Sequence, residues 1–179
     1  MAEGRLGANI IAPPANGDES MASSEDLDAP RALLTRYHRA MLDKNADALA
    51  ELYAVDAVHE FPLFSPFFPQ RLNGREEIRR HYRAVWGTPP FRILDIRDIA
   101  IHQTCDPQVI VAEAEFTAES TSTNKSFVLA FLIVMRVKDG LIAHLRDYMD
   151  ALGAAFALDR LPAMVDAIYR RSRVDETPA

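Results

Sequence analysis

The chain has 179 residues, 49% of them apolar, and a formal net charge of −6. That length supports one packed core, and an acidic chain without a Lys/Arg block excludes nucleic acid or an anionic membrane as its main partner. Its single cysteine, Cys105, excludes an internal disulfide and a cysteine-rich zinc site, which fits a reducing, cytoplasmic setting.

Residues 1–29 are rich in Ala, Gly, Pro, Ser and acid, carry no sustained period, and read as a flexible tail. Met21 offers an alternative start, and no basic segment leads into an apolar core as in a signal peptide. The longest apolar run, FVLAFLIVM over 127–135, falls far short of the ~20 residues of a membrane helix.

Pro30 opens the first predicted helix, where Leu33, Tyr37, Ala40 and Met41 form one stripe and place Tyr37 inward. Asn45 or Asp47 caps a second helix with Leu49, Leu52 and Tyr53 on its inner face. AVHEFPLF alternates as a strand with His59, Phe61 and Leu63 on one side, and SPFFPQRLNG reads as a loop because of its prolines. A third helix runs from Gly74 to Trp86, with Ile78, His81, Tyr82, Val85 and Trp86 inward.

Four long strands follow, over 91–104, 108–121, 125–137 and 141–151. Asp106-Pro107 and Lys138-Asp139-Gly140 supply hairpin turns. The third strand is apolar on both faces and is expected to be central and covered on both sides. A C-terminal helix, broken near Pro162, should pack through Leu161, Val165 and Ile168. Helices first and a meander after is an α+β order. The predicted division is a tail over 1–29, a domain over 30–158 and a C-terminal helix and tail over 159–179.

Asp147 is the strongest chemical signal. Alternation groups it with Ala143, Leu145 and Met149, opposite Ile142, His144, Arg146 and Tyr148. A carboxylate on an apolar face is costly to desolvate unless paired. Its pKa should therefore rise into the range useful for general acid–base work; the structural alternative is a buried ion pair. Glu113 and Glu115 share a face expected to be solvated or an interface. Cys105 has no apparent base partner. The histidines lack HxH or HExxH spacing and no Gly-rich phosphate loop is present, so neither metal nor cofactor is expected.

LYAVDAVHEFP, GREEIRRHY and DGLIAHLRDYMD, in this order of elements, resemble the nuclear-transport-factor-2-like superfamily over residues 30–158. That superfamily includes ketosteroid isomerases, SnoaL-like polyketide cyclases, limonene epoxide hydrolases and the PhzA/PhzB phenazine proteins. The resemblance implies a cone-shaped curved antiparallel sheet wrapped around N-terminal helices, enclosing an apolar pocket. It also implies dimerisation through the convex face, and the apolar KSFVLAFLIVMRV supports a homodimer. Against ketosteroid isomerases, Tyr37 matches the tyrosine that donates to the developing oxyanion. Phe61 stands where that family has its general-base aspartate, and Ile133 falls near its second oxyanion acid. Against PhzA/PhzB, His81 falls on a pocket histidine and Asp147 on the glutamate that acts as acid, LRDYMD resembling REFMN; CDPQVIVAE also resembles a segment there. SnoaL-like cyclases likewise place a catalytic aspartate in the pocket.

The resemblance thus implies a cofactor-independent enzyme of secondary metabolism, of cyclase, isomerase or dehydratase type, acting on a small hydrophobic carbonyl compound. Asp147, His81 and Tyr37 are its expected catalytic residues. His59, Phe61, Trp86, Phe131, Leu145 and Met149 are the expected pocket wall. Two other readings stand beside it. Epoxide or ether hydrolysis needs an aspartate pair with an arginine between. A non-catalytic binding or dimerisation module would have its interior packed solid.

Overall fold

The computed structural model of the protein describes residues 24–87 and 90–174; of the tail expected over residues 1–29, residues 1–23 lie outside them and residues 24–29 belong to the first helix. Helix α1, Ser24–Leu42, runs through Pro30 instead of starting at it. A proline inside a helix forfeits one N–H bond. Burial of Leu33, Leu34 and Tyr37 in the following turns offsets that loss. Asn45 caps α2, Ala46–Ala50, accepting from the Ala48 N–H at 2.9 Å. Tyr53, expected on this helix, is the first residue of β1, Tyr53–Glu60.

β1 ends before Pro62, which has no N–H to offer a ladder. Leu63 therefore leaves the strand and stands 53% exposed, contrary to the alternation read from the sequence. The expected loop also hides a short strand, β2, Arg71–Asn73, which pairs antiparallel with the end of β1. The Phe61 N–H donates to the Gln70 carbonyl at 3.0 Å and closes this hairpin. Helix α3, Arg75–Gly87, buries Ile78 and Tyr82.

The meander follows as expected: β3, Phe91–Gln103; β4, Val109–Ser120; β5, Ser126–Lys138; and β6, Leu141–Met149. Asp139 and Gly140 have φ of 51° and 73°, the left-handed pair that a type I′ hairpin turn requires. The six strands form one curved, unclosed sheet in the order β2-β1-β6-β5-β4-β3. It is antiparallel except where β1 joins β6 in parallel. β5 is interior, but only one face is covered within the chain. Leu129, Phe131, Ile133, Met135 and Val137 are buried while Val128 is 54% exposed. The second face, expected to be covered as well, is left open within the chain.

A register shift in β6 decides what faces inward. Arg136 pairs with His144 and Val137 with Ile142, leaving Ala143 as an extra residue. Ile142 and Leu145 are therefore both fully buried, although strict alternation separates them. Beyond this bulge the alternation resumes, with Leu145 and Asp147 buried and Arg146 exposed. Inside the cone, α1 packs against β3, β4 and β5. The small inward residues Ala112, Ala114 and Ala118 of β4 give it room.

Asp150 caps α4, Ala151–Ala157, accepting from the Gly153 N–H at 2.7 Å. A Cβ on Gly153 would meet the Asp150 carboxylate at 2.2 Å, so the cap needs glycine there. Helix α5, Leu161–Val174, follows a short break and includes Pro162 in its first turn. Its packing residue is Met164, 6% exposed, not Val165 or Ile168, which are 47% and 41% exposed. Asp159, at φ 55° in the break, turns α5 away from the phase a continuous helix would keep.

Candidate functional site

Asp147 lies on the inner face of β6, across from Ile133 of β5. It is the sole buried carboxylate among the described residues. Its Oδ1 has no hydrogen-bond partner, and most buried polar atoms do have one. Burial alone raises its pKa to about 7. No cation opposes that rise among the described residues, so Asp147 is not half of a structural ion pair.

Tyrosines from three elements surround it: Tyr37 from α1, Tyr53 from the start of β1 and Tyr82 from α3, each at most 5% exposed. Burial pushes all three phenols well above their usual range; a neighbouring tyrosine and then the Asp147 charge add to this. The three hydroxyls stay protonated and remain donors. Tyr37 Oη lies near Tyr53 and Tyr82, close enough for each to affect the other's ionisation. No hydrogen bond of ordinary geometry joins it to either.

Tyr53 Oη meets His59 Nδ1 at 2.9 Å. His59 is fully buried, and its Nε2 has no partner. Burial, then His81 and His144, lower its pKa to about 3, so it stays neutral. His81 is half-buried against the rings of Phe61, Phe68 and Tyr82. Burial lowers its pKa and Glu77 opposes this. His81 thus belongs to the aromatic group beside His59, whereas Tyr37 belongs to the group around Asp147.

His38 was not expected. It is 7% exposed; its Nδ1 stands 3.4 Å from Asp98 Oδ1, and its Nε2 is buried without a partner. Burial lowers its pKa and Asp98 raises it. The signal was available: Leu34, Tyr37, His38 and Met41 also fall at i, i+3, i+4, i+7.

A cavity of about 300 Å³ opens on the same side of the sheet, lined by Phe67, Phe68, Phe91, Phe116, Met149 and residues of α4. Met149 is two residues beyond Asp147 on β6, ~7 Å along the strand. Of the expected wall, Met149 lines this cavity directly. Phe131 stands behind Phe116 with ring centres 5.9 Å apart. Trp86 packs on Tyr82 at 4.8 Å and Phe61 on His59 at 4.6 Å. Leu145 and His59 are sealed in the core at 0% exposure. A depression of about 410 Å³ on the outer sheet face, lined by Ile99, Glu113, Leu132 and Tyr148 among others, contains no buried carboxylate.

A family model described as SnoaL-like domain matches residues 34–145, ending two residues before Asp147. An uncharacterised PhzA/B-like protein of Pseudomonas aeruginosa is 28% identical over 70% of this chain and 89% of its own length. A candidate isomerase of Bacillus subtilis superposes with a TM-score of 0.68 at 20% identity, covering 75% of this chain and 96% of the other. A phenazine biosynthesis-related protein of Pseudomonas aeruginosa gives 0.58 at 17% identity, over 83% and 90%. At these identities the two structural likenesses speak for the fold.

Proposed function

The chain belongs to the SnoaL-like domain family, and from that premise we propose that it is a cofactor-independent acid–base enzyme acting on a small hydrophobic carbonyl compound. One observation carries this reading: a buried, unpaired carboxylate with its pKa raised to about 7 among three protonated tyrosines. Near neutrality such a group is present in both forms, as a residue that first takes and then returns a proton requires. The ionised Asp147 removes a proton from the carbon next to the carbonyl. The C–H electron pair moves into the new C=C bond, and the carbonyl oxygen becomes an enolate oxygen. The Tyr37 O–H donates a hydrogen bond to that oxygen, stabilising charge where it develops. Asp147 then delivers its proton to a carbon of the enolate, which is a dienolate where the substrate is an enone, or to a leaving oxygen. Isomerisation, cyclisation and dehydration share the first half of this sequence.

The hydrolytic reading ranks lower, because it needs a second buried carboxylate and Asp147 is the only one among the described residues. The apolar outer sheet face, with Ile99 52% and Val128 54% exposed, supports a homodimer formed there. The function is tested by deuterium incorporation next to the carbonyl in a panel of cyclic ketones and enones in D₂O, followed by NMR. Wild-type protein should catalyse exchange in at least one of them, and Asp147→Asn should slow it ~10²–10⁴-fold. Exchange at the wild-type rate in a folded Asp147→Asn protein would remove Asp147 from the chemistry.

A further inference from the structure

Two polar side chains stand out in the lining of the 300 Å³ cavity, which is otherwise built from Phe, Met, Ala, Val, Leu and Pro. One is Ser65, 6% exposed. Its Oγ accepts from the Phe67 N–H at 3.2 Å, which leaves the hydroxyl proton free to donate. The other is Arg160, the single charged residue of that lining. Arg39, Arg71, Arg75, Arg79, Arg83, Arg92, Arg97 and Arg136 pair with carboxylates and Arg31, Arg36, Arg80, Arg146 and Arg170 do not, but none of these arginines lines the cavity. Arg160 sits in the break between α4 and α5, and among the described residues its guanidinium has no hydrogen-bond or ion-pair partner.

We infer that this cavity binds the carboxylate end of the substrate, held by the Arg160 guanidinium and the Ser65 hydroxyl, so that the enzyme takes a hydrophobic carboxylic acid. The inference rests on the reading above of the cone as a small-molecule enzyme and adds the chemical class of what enters. A guanidinium presents parallel N–H donors that match a carboxylate, and the hydroxyl adds another donor. One cation on a chain of net charge −6 suits a singly charged head better than a phosphate. The aromatic lining takes the apolar body. Its volume is at the small end for ligand pockets, which points to a one- or two-ring acid. Met149 lines the cavity and shares its strand face with Asp147, so a ligand anchored here extends towards the buried carboxylate.

The probes are 1-naphthylacetate and its neutral isostere 1-naphthylacetamide, with binding measured by calorimetry on the full chain. Wild-type protein should prefer the acid by at least about tenfold. Arg160→Gln should abolish the preference while keeping amide affinity, and Arg160→Lys should restore part of it. Arg160 is exposed and unpaired, so these variants should fold. Ser65→Ala should reduce acid affinity by a smaller factor. Equal affinity for the two probes, a preference that survives in Arg160→Gln, or binding of neither would each overturn the inference. Failure here is separable from failure of the catalytic reading. An acid preference lost in Arg160→Gln, together with unchanged deuterium exchange in Asp147→Asn, would keep the subsite and remove the catalytic role.

Discussion

The two faces of the sheet treat carboxylates in opposite ways. On the outer face Glu119 meets Arg92 at 3.0 Å, Glu113 meets His102 at 2.7 Å and Glu115 meets Arg97. On the inner face Asp147 is buried with no cation and one oxygen unpartnered. An exposed pair across neighbouring strands contributes little and costs little. A buried lone carboxylate costs several kcal/mol in its charged form and is kept only where something offsets the cost. The contrast separates charges that decorate a sheet edge from the one that a site needs.

The largest effect that sharpens this contrast comes from His59. Unfolded, it takes up a proton near pH 6.5; folded, it does so only near pH 3. The unfolded state binds more protons in that window, so stability is fully present above pH 6.5 and falls as pH drops towards 3. About 1.4 kcal/mol per pH unit over this shift amounts to roughly 5 kcal/mol. Asp147 acts in the opposite sense. Its proton is held to about pH 7 in the fold and released near 3.8 when unfolded. Its contribution is full below pH 4 and is lost as pH rises to 7, by roughly 4 kcal/mol. Between pH 4 and 6.5 the two slopes nearly cancel. Chemical denaturation should therefore find wild-type stability rising much less with pH there than His59 alone would give, with the lowered His38 and His81 adding to the His59 slope. Asp147→Asn, which removes one slope, should grow steadily more stable with rising pH. Parallel curves for the two proteins would break the contrast.

A smaller effect tests the cap of α4, a helix that lines the cavity. Gly153→Ala forces the Asp150 carboxylate out of its cap, because the new Cβ would stand 2.2 Å from it. The loss should be about 1 kcal/mol, read as a lower melting temperature. The smallest effect belongs to the outer face. Arg97→Gln removes the partner of Glu115, half of an exposed pair, and should change stability by less than about 1 kcal/mol, less still at high salt. A loss of several kcal/mol there would mean that the outer carboxylates are not decoration.

Most of the sheet was legible because hairpin turns and period-two alternation are local signals. Asp139-Gly140 marks its turn by chemistry alone. What was not legible came from long-range pairing. β2 exists only because β1 lies beside it, and three residues after a proline-rich stretch carry no pattern of their own. The Ala143 bulge is set by the register with β5 and reverses the apparent side of Ile142. Asp147 and Tyr37 were both read as inward, and the structure groups them. Tyr53 and Tyr82 were read as packing residues, because a sequence cannot show that three tyrosines from separate elements meet around one carboxylate. His38 was missed because a neighbouring stripe on α1 was preferred to the one containing it.

An acid–base role for Asp147 requires that it keep its proton to near-neutral pH. The direct measurement is a carbon-13 NMR titration of protein labelled at the aspartate carboxyl carbon, with Asp147→Asn assigning the resonance. One aspartate signal should titrate near pH 7 and be missing from the mutant. A mutant-sensitive signal with its midpoint near pH 4 would contradict that role.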